Sequence, residues 1–151
     1  RVQEMIGAGI AEGARLVCGG LGRPLGLERG FYVRPTIFSD VHPQMRIAQE
    51  EIFGPVLAVI PYDSVDEAVE IANGTVYGLG AHVQSQDLGA ARAVAARIRS
   101  GQVHINNPAW DPHAPFGGYK RSGNGREYGV EGVQEYLETK AILGYMEEKQ
   151  A

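Results

Sequence analysis

Gln49-Glu50-Glu51-Ile52-Phe53-Gly54-Pro55-Val56-Leu57-Ala58-Val59-Ile60-Pro61-Tyr62 places two carboxylates and an aromatic ahead of a Gly-Pro turn, then runs apolar as far as Ile60. A run of this kind reads as a strand covered on both faces, the form that parallel sheets favour. Directly after it, Asp63 or Ser64 can cap a helix that carries Val65, Ala68, Val69 and Ala72 on one side. Strand followed by helix is the unit of an α/β fold, and the same alternation extends outward in both directions.

Toward the N-terminus, Pro43 to Glu51 has room for a helical turn, and Phe31 to Phe38 reads as extended, with Pro35 arguing for an edge or a bend. Arg15-Leu16-Val17-Cys18 reads as a short strand stopped by Gly19-Gly20. Val2, Ile6 and Ile10 recur with helical period, and no Ser, Thr, Asp or Asn precedes them as a cap. An uncapped helix at the first residue is the pattern expected of a chain continuing from something longer. Gly7, Gly9 and Gly13 weigh against that helix. Toward the C-terminus, Gly78 to Val83 reads as a strand, and Asp87 caps a helix with Leu88, Ala91, Ala95 and Ile98. Gln102 to Asn106 alternates as a strand, and a long loop runs from Asn107 to Gly125. A helix through Val130, Val133, Gln134 and Leu137 and a final strand from Ala141 to Tyr145 complete the pattern. The expectation is an α/β protein with a largely parallel sheet and flanking helices.

Composition excludes several classes. The net charge is −4, and the one basic cluster, Lys120, Arg121 and Arg126, reads as a solvated face, which argues against a nucleic-acid partner. No apolar run approaches the ~20 residues of a membrane span, and the first residues lack the apolar core of a signal peptide. A single cysteine, Cys18, allows no internal disulfide and fits a reducing compartment, so the expected location is cytoplasmic. His42, His82, His104 and His113 show no metal-ligand spacing, and no metal site is expected.

Two stretches carry candidate chemistry. Glu50 and Glu51 are adjacent and point different ways, which argues against a shared acid–base pair. By local chemistry they are either a solvated surface or the site of one carboxylate accepting two hydrogen bonds from a vicinal diol such as a ribose. The second stretch, Pro115-Phe116-Gly117-Gly118-Tyr119-Lys120-Arg121-Ser122-Gly123-Asn124-Gly125-Arg126-Glu127, has four glycines. Its Lys120 and Ser122 lack the spacing of a phosphate-binding P-loop, and Gly123, Gly125 and Gly129 are one residue too widely spaced for a dinucleotide fingerprint. A crossing loop that needs small residues fits better.

Taken in order, Glu50-Glu51-Ile52-Phe53-Gly54-Pro55-Val56, Asn73 with Tyr77-Gly78-Leu79, Gly101 with Val103-Ile105-Asn106, and Pro115 to Lys120 with Ser122-Gly123 and Gly125-Arg126-Glu127 closely resemble the C-terminal third of the NAD(P)-dependent aldehyde dehydrogenase superfamily. The resemblance covers nearly the whole chain. It implies a three-layer α/β catalytic domain, incomplete here, over residues 1–137, and an oligomerisation strand and tail over residues 138–151. It implies that Glu51 hydrogen-bonds the nicotinamide ribose, that Phe53 packs near the nicotinamide, and that Phe116 lines the aldehyde entrance. Trp110, in the segment that shapes the substrate site, faces the aldehyde or serves as a packing aromatic, and His113 lies in the same segment.

The implied reaction oxidises an aldehyde to a carboxylic acid with NAD or NADP, NAD being favoured, through a cysteine thioester. The family's nucleophile and general base lie upstream of the matched region, so no catalytic residue is expected in this chain. Cys18, in an apolar run without a His, Lys or Arg beside it, reads as a buried, inert thiol. Arg126 and Glu138 are expected to support the loop and the assembly through an ion-pair network. The expected partners are a small aldehyde, an upstream nucleotide-binding domain of the same chain, and further copies in a homodimer or homotetramer. The other functional class is a binding or assembly module that kept this domain without catalysis. If the chain is part of a longer one, several strands should lack neighbours, or apolar faces should be uncovered, unless further segments cover them.

Overall fold

The computed structural model describes residues 1–144. Helix α1 (Val2–Ala11) leads into strand β1 (Arg15–Cys18), and β2 (Thr36–Ser39), a one-turn helix α2 (Arg46–Gln49) and β3 (Val56–Ala58) follow. These strands form one sheet in the order β1-β2-β3, antiparallel between β1 and β2 and parallel between β2 and β3. Then come α3 (Val65–Asn73), β4 (Gly80–Val83), α4 (Leu88–Ala95) and β5 (Gln102–Ile105), with β4 and β5 paired in parallel as a second sheet. A 3-10 turn at Lys120–Ser122 and helix α5 (Gly129–Gln134) complete the described structure. The α/β class is as the sequence implies, with parallel pairing at β2–β3 and β4–β5 and the antiparallel strand at one edge.

The core lies where α1 and α2 pack on the first sheet. Met5, Ile6 and Phe38 are fully buried, and Val41, Ile47 and Ile52 close the cluster. Helix α1 forms without a side-chain cap and despite its glycines. Gly9 explains part of this: a Cβ there would come within 2.9 Å of Ile47 Cδ1 and 3.1 Å of Phe38 Cζ, so its bareness allows helix and sheet to meet closely. β2 begins immediately after Pro35, and its Thr36 hydroxyl, buried, accepts from Gly20 N–H at 3.1 Å and donates to Arg34 C=O at 2.8 Å.

Three expectations need correction. The run from Val56 is a strand only to Ala58 and is not covered on both faces: Leu57 is 56% exposed and Val59 43%. β3 is a sheet edge that pairs with β2 alone among the described residues, so one flank and alternate side chains stay open. Cys18 is exposed, not buried, because β1 is the opposite edge and all four of its residues face outward or stand uncovered. The final strand is not formed over residues 141–144, where Ile142 and Leu143 are 80% and 91% exposed. A strand requires a neighbour to complete its hydrogen bonds, and none lies beside this segment among the described residues. Tyr145 and the tail to residue 151 lie outside the described residues.

α3 resolves a choice that the sequence leaves open. Ser64, not Asp63, is its cap, with the hydroxyl accepting from Glu67 N–H at 3.2 Å. The Glu67 carboxylate reaches back to the Asp63 N–H at 2.7 Å, a reciprocal arrangement close to a capping box. Asp87 caps α4 as its position implies, accepting from Ala90 N–H at 3.0 Å.

Candidate functional site

The Glu50-Glu51-Ile52-Phe53 segment links α2 to β3, and its neighbouring carboxylates have separate surroundings. Glu50 pairs with Arg46 one helical turn earlier, Nε to Oε1 at 2.7 Å, and Arg46 also holds Glu4 at 2.8 Å. The Arg46 guanidinium lowers both carboxyls below the usual glutamate value, chiefly through these hydrogen bonds. Glu51 is exposed, and its carboxylate enters none of the described ion pairs or hydrogen bonds, while its backbone carbonyl accepts from Arg1 at 2.6 Å. Ile52 is drawn into the core and anchors the segment. Phe53 is 86% exposed with φ at 54°, a left-handed conformation that a non-glycine residue adopts at a cost. Thus Arg46 and Ile52 fix the backbone on which Glu51 and Phe53 project outward.

The second stretch is stapled to the turn between α3 and β4. Lys120 Nζ donates to Asn73 C=O at 2.8 Å and Thr75 C=O at 2.9 Å. The Asn73 side chain donates to Arg97 C=O and accepts from Arg99 N–H, joining the ends of α3 and α4. Gly78 N–H donates to the Ser122 hydroxyl at 3.0 Å, while Gly78 C=O accepts from Tyr119 and Gly101 N–H. The sequence reading of a crossing loop made of small residues fits this arrangement. A Cβ on Gly101 would run into the carbonyl of Gly117, and Gly117 and Gly118 are both buried.

Phe116 leaves this loop half-buried and paired through its backbone with Glu127, at 2.8 and 2.7 Å. It lines a cleft of about 720 Å³ together with Trp110, His104, Pro115 and Tyr128. Trp110, 75% exposed, meets Tyr128 edge to face, with ring centroids 6.1 Å apart and planes at 88°. The structure therefore brings Phe116 and Trp110 to one cleft, whereas Glu51 and Phe53 do not line it. Tyr128 is a wall residue that sequence reading missed. The available signal was an aromatic placed between Glu127 and Gly129 at the start of the last helix. His113 contributes a turn instead, its N–H donating to Asp111 Oδ1 at 2.9 Å.

Arg126 does not take the ion-pair role expected with Glu138. The described ion pairs do not include it, and its guanidinium donates to the carbonyls of Gly118, Asn124 and Gly125 at 2.9 Å each. It also lies 5.5 Å from the centre of the Tyr119 ring. Its support of the loop thus comes through three backbone carbonyls gathered around Nη1, which share its two N–H groups.

The α/β fold thus presents a carboxylate and an aromatic on one connection and an aromatic cleft on another. Residues 1–142 match the aldehyde dehydrogenase family, and the chain belongs to that family. A 3-succinoylsemialdehyde-pyridine dehydrogenase of a Pseudomonas species is 58% identical over 145 residues, which cover 96% of this chain and 30% of that protein. Among solved structures, a mutant of aldehyde dehydrogenase C of Pseudomonas syringae in complex with NAD+ and octanal is 71% identical, with a TM-score of 0.93 over 99% of this chain and 31% of that one. The aldehyde dehydrogenase of Mycobacterium tuberculosis complexed with NAD+ is 53% identical, with a TM-score of 0.89 over 97% of this chain and 31% of that one. The chain spans about 30% of the length of the curated relatives it matches.

Proposed function

We propose that this chain forms the C-terminal part of an enzyme that oxidises an aldehyde to a carboxylic acid with NAD+, and that it supplies a cofactor contact and one side of the aldehyde site. Family membership and the NAD+ complexes of similar proteins support the class. The single observation that carries the residue assignment is the contrast between the paired Glu50 and the presented Glu51.

Glu51 fits a ribose: both carboxylate oxygens are available to accept from vicinal hydroxyls, on a backbone held by Arg46 and Ile52. Phe53 offers an exposed face to an aromatic ring from the same segment. NAD+, when bound, supplies the hydride acceptor. Phe116 and Trp110 form apolar walls that orient the aldehyde and exclude water from it. The nucleophilic thiol and the general base come from upstream sequence, so the chain is inactive alone. Exposed Cys18 lies on β1, away from the residues that line the cleft, and takes no part.

In the same reading, residues 1–137 belong to the catalytic domain and residues 138–151 to an oligomerisation strand and tail that meets another copy in a dimer or tetramer. The exposed Ile142 and Leu143 favour that assignment. The protein works in the cytoplasm. A panel of aldehydes assayed on the intact protein with NAD+ and NADP+ tests the function. NAD+ reduction coupled to formation of a carboxylic acid is expected, and binding of NAD+ without turnover of any aldehyde would favour a non-catalytic module.

A further inference from the structure

The cleft that holds Phe116 and Trp110 has a third wall, and the backbone places it at a cost. Tyr128 has φ 62° and ψ 171°, a region populated essentially by glycine, and Gly129 follows with φ 61°. Two successive positive φ values reverse the chain between the Phe116–Glu127 pairing and α5. The turn is held on both sides, by Gly129 N–H to Pro112 C=O at 3.4 Å and Gly132 N–H to Tyr128 C=O at 2.9 Å. Strain of this kind persists where surrounding structure enforces it, and it concentrates at binding sites. Its result here is that the Tyr128 ring stands against Trp110 at the cleft rather than lying along α5.

The chemistry of the lining narrows the ligand. Phe116, Trp110, Tyr128 and Pro115 present apolar and aromatic surface, and no lysine or arginine lines the cleft among the described residues, so an anionic aldehyde would find no counter-ion there. Asp111 is its one carboxylate, and Oδ1 is already engaged by His113 N–H. His104 sits beside Gln102, Nε2 to Oε1 at 3.4 Å, and stacks on His82 at 4.9 Å.

We propose that Tyr128 is a specificity-determining residue that, with Trp110, gauges the cleft for aldehydes with an extended neutral apolar tail. The inference rests on the dehydrogenase reading above and deepens it. The edge-to-face contact orients the Trp110 indole against Tyr128, and the two rings form a corner against which successive methylene groups of the tail lose contact with water. A short aldehyde ends before reaching that corner and gains nothing from it.

The test uses the intact protein with octanal, acetaldehyde and betaine aldehyde as probes. The expected result for Tyr128→Ala is a fall on the order of tenfold in the ratio of kcat/KM for octanal to that for acetaldehyde, carried by KM for octanal. Tyr128→Phe keeps the ring and should restore the ratio, while Tyr128→Leu, which keeps apolar bulk and the fold, should fall between them. Equal losses on both chain lengths across this series would assign Tyr128 to packing and overturn the inference. A wild-type preference for betaine aldehyde over octanal would assign the aromatic walls to a cation and overturn it as well. If the wild-type protein oxidises no aldehyde, the dehydrogenase reading fails first and this inference falls with it, an outcome distinct from an active enzyme whose ratio ignores Tyr128.

Discussion

Glu50 and Glu51 show how one peptide bond separates two surroundings. Glu50 turns back to Arg46, as the i, i+4 spacing allows, while Glu51 points away from that pair and stays exposed. The Arg46 contacts lower the carboxyl pKa values of Glu50 and Glu4 below 4.5, so their stabilising effect is complete above that value and lost as pH falls through the lowered ones. Arg46→Met should therefore remove part of the protein's acid sensitivity. The difference between variant and wild type in urea midpoint should be largest at neutral pH and shrink well below pH 4.5, and a difference independent of pH would show that the pairs do not act this way. The carboxylates and the aromatic were legible as a motif in the sequence. The different surroundings of the two carboxylates were not, because nothing in the order Glu-Glu states which side chain the Arg46 guanidinium will reach. Cys18 is exposed against expectation for a related reason: an apolar neighbourhood in sequence implies burial only if another element covers that face, and β1 is an edge.

At the scale of elements, caps and turns were read better than strand lengths. Asp87 is identifiable from sequence, and the choice between Asp63 and Ser64 is decided by the Ser64 hydroxyl, which accepts from Glu67 N–H. Ser64→Ala should lower stability by about 1 kcal/mol with an unchanged denaturant slope, whereas Asp63→Ala should change it by less than about 0.5 kcal/mol. The reverse order in urea denaturation would contradict the capping assignment. Strand limits depend on pairing partners, which is why the apolar run after Pro55 shortened to Val56–Ala58 and why the segment at Ala141 is not a strand. The loop that carries Phe116 depends on a long-range clamp between residues 73–78 and 117–122 that only the folded chain reveals. Lys120→Met removes two charge-assisted hydrogen bonds to Asn73 and Thr75, so hydrogen exchange at Tyr119 and Arg121 should rise on the order of tenfold, while exchange in β2 should hold. Equal protection in variant and wild type would mean that the backbone hydrogen bonds alone hold the loop.

At the scale of the whole molecule, two small sheets share a chain that leaves many large apolar side chains open, among them Phe31, Leu25, Tyr136 and Leu143. The sequence reading anticipated uncovered apolar faces, and the coverage of relatives about three times as long agrees with it. The α/β class followed from the alternation of elements, and the ordered motifs carried the family. Which faces need covering could not be read from the sequence, because periodicity marks an apolar stripe without stating what lies against it. At this scale Glu51 and the cleft bearing Phe116 belong to one reaction only if a cofactor spans them. The most direct measurement is the steady-state kinetics of the intact protein with Glu51→Gln. KM for NAD+ is expected to rise on the order of tenfold, as loss of charge-assisted hydrogen bonds to a diol should cause, with KM for the aldehyde changed less than about twofold. An unchanged KM for NAD+, with the protein folded and active, would contradict it.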